Sequence, residues 1–84
     1  MLITMGSITT AARYARLIEK NTGVPASVTH TPAAINKGGC SYSVRIPDQY
    51  MQLAKKLAAQ YNVNVRKFYR ESYVNGQHEY NVVS

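Results

Sequence analysis

The stretch Ser41-Tyr42-Ser43-Val44-Arg45-Ile46-Pro47-Asp48 decides the fold. Tyr42, Val44 and Ile46 alternate with Ser41, Ser43 and Arg45, which is the period of a strand with one buried face. Pro47-Asp48 then ends the strand and opens a helix, with the acid at the positive end of the helix dipole. The helix carries an apolar stripe of Tyr50, Met51, Ala54, Leu57, Ala58 and Tyr61. Lys55, Lys56 and Gln60 are read as its solvent side, and Asn62 as its end.

The chain upstream follows the same strand-to-helix logic. Leu2-Ile3-Thr4-Met5 is a short apolar run that reads as a buried first strand. Gly6 breaks it, and the Ser7 hydroxyl suits an N-cap. Ile8, Ala11, Ala12, Ala15 and Ile18 recur at helical spacing, with Arg13, Arg16, Glu19 and Lys20 largely off that stripe. Glu19 is placed to pair with Arg16 on the helix surface. Gly23 is suited to a left-handed helix end. Val24 to Thr29 reads as a second strand, and Pro25 marks it as an edge.

Downstream, Val63-Asn64-Val65 opens a fourth strand by alternation. Asn75-Gly76 is a two-residue hairpin signal that demands positive φ at both positions. Pairing across it sets Tyr73 opposite His78, Glu71 opposite Tyr80, and Tyr69 opposite Val82, all on one face. The order is β-α-β-β-α-β with a final hairpin strand. That order predicts an α+β, ferredoxin-like sandwich with both helices on one face of a mainly antiparallel sheet.

A chain of 84 residues holds one domain with a small core. The sequence has no long apolar stretch for a membrane span and no secretory leader, so a cytoplasmic protein with a reduced thiol is expected. One cysteine and two histidines do not make a zinc site, and no metal or cofactor is called for. Paired carboxylates, phosphate-binding glycine loops and a Ser-His-Asp set are all missing. A conventional hydrolase or transferase therefore has no support. Ten Lys and Arg against four Asp and Glu give a net charge of +6, which attracts anions or simply keeps the surface soluble.

Reactive chemistry concentrates at Cys40, which closes the loop Thr31-Pro32-Ala33-Ala34-Ile35-Asn36-Lys37-Gly38-Gly39-Cys40. Gly38 and Gly39 admit the left-handed backbone that gathers N–H groups around an anion. Lys37 adds positive charge, and Gly39 and Ser41 leave room for an incoming sulfur donor. Each favours thiolate, the nucleophilic form. The competing reading is a small buried hydrophobe at a strand start. His30 flanks the loop as a possible base, although a surface role is the simpler reading. His78 reads as a strand-pair residue.

The run Leu2-Ile3-Thr4-Met5, Ser7, Thr31-Pro32, Cys40, Val44-Arg45-Ile46-Pro47 and the helix through Met51, Ala54 and Leu57 resembles the small bacterial selenium/sulfur carrier-like domains. The resemblance covers about residues 1–70 and leaves residues 71–84 as a hairpin extension. It implies that Cys40 is the carrier nucleophile, holding a persulfide or perselenide. Thr31, Pro32, Lys37, Gly38, Gly39 and Ser41 are then its supporting loop. Donor and acceptor proteins are the implied partners. The family usually has Gly after the cysteine, where this chain has Ser41.

Two other functions stay open. Arg66, Lys67 and Arg70 interleave with Phe68, Tyr69 and Tyr73, a combination that suits single-stranded nucleic acid. Against it, the strand at Ser41–Ile46 lacks the aromatic pattern of an RNA-recognition motif. The face of Tyr69, Tyr73, Tyr80 and Val82 suits either packing within the chain or a homodimer.

Overall fold

The computed structural model describes residues 1–36 and 38–83. Its elements run β1 (Leu2–Met5), α1 (Ile8–Thr22), β2 (Ser27–His30), β3 (Tyr42–Arg45), a 3-10 turn (Asp48–Tyr50), α2 (Met51–Gln60), β4 (Phe68–Val74) and β5 (Gln77–Val82). The fold is α+β. Five strands form an antiparallel sheet in the order β2-β3-β1-β4-β5.

β1 is central, which is why it reads as an unbroken apolar run. Met1, Ile3 and Met5 join Val44, Ile46 and Phe68 in one cluster with Ala11, Tyr14, Ala15 and Ile18 of α1 and Ala54, Leu57 and Ala58 of α2. Both helices thus cover the same face of the sheet. Leu2 and Thr4 point to the opposite face and are also buried.

The helix ends follow from their capping residues. Ser7 Oγ accepts the Thr10 N–H at 3.4 Å at the start of α1. Gly23, at φ 72°, ends the helix by donating its N–H to the Glu19 carbonyl at 2.8 Å. α2 ends in a tighter Schellman arrangement around Asn62, at φ 55°. There the Val63 N–H reaches the Ala58 carbonyl and the Asn62 N–H reaches the Ala59 carbonyl.

That cap corrects the expected start of the fourth strand. Val63 is pulled back under α2 and buried, so Val63-Asn64-Val65 does not join the ladder, and β4 begins at Phe68. The second strand also starts later than expected, at Ser27, because Pro25 has no N–H to offer a ladder.

The helix stripes need three corrections. Ile8 and Tyr61 lie at helix ends, beyond the sheet, and are exposed. Tyr14 takes the central place in α1, fully buried, and its hydroxyl donates to the Ala54 carbonyl at 2.6 Å. This bond ties the two helices together, and burial pushes the Tyr14 phenol well above its ordinary value. Lys55 is not fully solvated either, since its Nζ stands 5.5 Å from the centre of the Phe68 ring.

The hairpin forms as read. Asn75 and Gly76 have φ of 52° and 77°, and the register pairs Tyr73 with His78, Glu71 with Tyr80 and Tyr69 with Val82. Among the described residues, no helix is long and apolar enough to cross a membrane.

Candidate functional site

Cys40 lies at the last step before the β2–β3 ladder resumes. Thr31 donates its N–H to the Ser41 carbonyl at 2.9 Å, which pinches the segment from Pro32 to Cys40 into a closed loop. Inside it, the Ile35 N–H bonds the Pro32 carbonyl at 3.0 Å, forming a turn. Gly38 and Gly39 have φ of 63° and 81°, the left-handed values anticipated for this pair. Lys37 lies outside the described residues.

The loop folds toward the face of the sheet that the helices leave open. The Thr31 hydroxyl meets the Ser43 hydroxyl at 2.7 Å, and both residues are buried together with Thr4. A cleft of about 360 Å³ opens beside them, lined by Thr4, Ile35, Gly38, Cys40, Arg66, Lys67 and Tyr69. Cys40 is partly buried, neither sealed under the sheet nor fully on the surface. Of the residues expected to support it, Gly38 shares the cleft wall. Gly39 sits against Gly6, where a Cβ would come within 3.1 Å of the Gly39 carbonyl oxygen. Gly6 is thus the point where the strand-to-helix turn admits the cysteine loop. Thr31, Pro32 and Ser41 shape the loop from outside the cleft wall.

Arg66 and Lys67 reach this cleft through an irregularity in the chain that enters β4. Thr4 donates its N–H to the Lys67 carbonyl and accepts the Arg66 N–H, each at 2.9 Å. Two residues therefore oppose one, as in a β-bulge. The Lys67 N–H, which a regular ladder would pair with backbone, goes to Thr4 Oγ1 at 3.2 Å. In a flat strand consecutive side chains alternate between faces. Here the bulge lets neighbouring cations line one cleft.

In the sequence Arg66 and Lys67 group with the tyrosines, and nothing local connects them to Cys40. The available signal was Val65-Arg66-Lys67-Phe68, where two successive polar residues interrupt an apolar alternation. Such an interruption before a strand is what a bulge requires.

The remaining titratable candidates fall elsewhere. His30 ends β2 and stacks on Tyr42 at 5.3 Å between ring centres. Its register partner Tyr42 faces Met5, so His30 belongs to the helix side and does not line the cleft. Asp48 meets the Met1 amino group at 2.9 Å and Arg70 at 3.4 Å, and the amino-group hydrogen bond first, then its charge and that of Arg70, hold the Asp48 carboxyl below its usual range. Arg45 grips Glu71 with two hydrogen bonds, at 3.0 and 2.9 Å. That grip is the main cause holding the Glu71 carboxyl below its usual range and the Arg45 guanidinium above its own. Tyr73, at 70% exposure, and His78 stack at 4.1 Å on the hairpin, with Tyr80 5.7 Å beyond His78. Among the described residues no group of three or more His, Cys, Asp or Glu could hold a metal ion.

No curated protein and no solved structure matches the chain. A family model described as "Putative Se/S carrier protein-like" matches residues 1–70, which spans β1 through the first part of β4 and includes Cys40, Arg66 and Lys67. The chain belongs to this Se/S carrier protein-like family.

Proposed function

We propose that the protein carries sulfur or selenium on Cys40, as a persulfide or perselenide, between a donor and an acceptor. The observation that carries this reading is the placement of a partly exposed thiol in an open cleft beside Arg66 and Lys67. A carrier needs access for the incoming atom, and the cleft supplies it. It also needs a nucleophilic sulfur, which a free thiol supplies in its thiolate form. The chain has no second cysteine to resolve the adduct, so release falls to an external thiol or to the acceptor protein. Such a role is delivery, not stand-alone catalysis, and a cytoplasmic setting suits the reduced thiol.

The order of the first four strands, 4-1-3-2 with antiparallel neighbours, supports reading the fold as ferredoxin-like. On this reading residues 1–84 are a single domain, and the C-terminal hairpin adds an edge strand to it.

The test is mass measurement after incubation with polysulfide. The wild type should gain the mass of sulfur, and should lose it again to a free thiol. No gain on the wild type, or an equal gain on Cys40→Ser, would reject the carrier role.

A further inference from the structure

We infer that the cleft receives its sulfur from a small oxyanion bearing a terminal sulfane sulfur, thiosulfate being the simplest. Arg66 and Lys67 hold the oxyanion while Cys40 takes the sulfur. This inference rests on the carrier reading of Cys40 and names the class of donor.

The size of the cleft comes first. A volume of about 360 Å³ lies at the lower end for small-molecule sites, so it admits a compact donor. Its charge comes second. Among the described residues the wall holds two cations and no carboxylate. A neutral donor would leave both cations without a counter-charge. An oxyanion would pair with Arg66 through the planar guanidinium fork and with the Lys67 ammonium as a point charge. The third argument is the bulge at Thr4. It uses a side-chain hydroxyl to satisfy the Lys67 N–H and so brings consecutive basic residues to one wall. A basic surface that served only solubility would not need that departure from a regular ladder.

The chemistry closes without an added oxidant or reductant. The Cys40 thiol loses its proton to solvent. The thiolate then attacks the terminal sulfur of thiosulfate. A new bond forms between Sγ and that sulfur, and the S–S bond of thiosulfate breaks. Its electron pair leaves with sulfite. One singly charged thiolate and one dianion become one singly charged persulfide and one dianion. A neutral sulfur atom has been transferred. Negative charge grows on the departing sulfite as the bond breaks, and there Arg66 and Lys67 have their largest effect.

The experiment measures loading of the full chain by thiosulfate, with the rate divided by that of iodoacetamide to remove differences in thiol reactivity. Arg66→Gln/Lys67→Gln should lose about tenfold or more in this ratio, since the double variant removes two charge-assisted contacts to the donor. The wild type should also load from polysulfide, which reads the carrier role separately from the oxyanion site. An unchanged ratio overturns the oxyanion site while the carrier role stands. Failure of both donors on wild type overturns both. If the double variant does not fold, sulfate decides the matter on the wild type. Sulfate should slow thiosulfate loading more than chloride of equal ionic strength, and equal slowing overturns the proposal.

Discussion

On the helix side of β1, Met1, Ile3 and Met5 are packed among apolar side chains from both helices. On the other side Thr4 is just as buried, yet its neighbours across and beside it are Ser43, Arg66 and Lys67. One face is held chiefly by burial, which needs no direction, with the Tyr14–Ala54 hydrogen bond added between its helices. The other is held by hydrogen bonds, each of which needs a partner, and among the described residues no buried side-chain polar atom lacks one. The difference separates what holds the fold from what shapes the cleft. The two functions are interleaved along a single strand with a period of two.

The largest expected effect comes from attacking the apolar face. Ile3→Ala leaves a cavity at a fully buried position between sheet and helices. Stability should fall by about 2–5 kcal/mol, read as a drop in the urea midpoint. The loading rate of Cys40 per folded molecule should hold. A fall in that rate under fully folding conditions would show that the two faces are not independent.

Thr4→Val strikes the polar face at the same strand, with almost the same shape. The Lys67 N–H loses its acceptor, so stability should fall by roughly 1–3 kcal/mol. Thiosulfate loading should slow through a weaker apparent affinity, because the bulge that aims Arg66 and Lys67 relaxes. The maximal rate should change less, since Cys40 is not touched. Thr4→Ser keeps the hydroxyl and should restore the affinity even if it does not restore the packing. An affinity lost equally in both variants would mean that Thr4 contributes volume only.

These two faces were unequally legible in the sequence. Period-two and period-3.6 patterns depend on neighbours in the chain, so the sheet, both helices and the Asn75-Gly76 hairpin could be read down to the pairing of Tyr73 with His78. Cys40 was also readable as the residue that closes the glycine loop. Its surroundings were not. Arg66 and Lys67 lie far from Cys40 in sequence, and they meet it only because β4 enters beside β1. The strand expected at Val63-Asn64-Val65 failed for a related reason. The alternation there is real, but the cap of α2 claims Val63 first.

The smallest effect should come from the Arg45–Glu71 pair, which lies on the open face but is not part of the cleft wall. The Glu71 carboxyl is held below its usual range, first by its hydrogen bonds to Arg45. A depressed carboxylate contributes stability that is complete above its unfolded value, about pH 4.3, and is lost as pH falls through its folded value. Arg45 is close to half exposed, so solvent screening keeps the contribution within about 1 kcal/mol. The gap in unfolding free energy between wild type and Glu71→Gln should therefore be small at pH 7. It should close below about pH 4, because protonated Glu71 and glutamine present much the same group to Arg45. Thiosulfate loading at pH 7 should be unaffected by the substitution. A gap that persists in acid would assign Glu71 a packing role. A change in loading would extend the functional half of the sheet from the cleft to the Arg45–Glu71 pair.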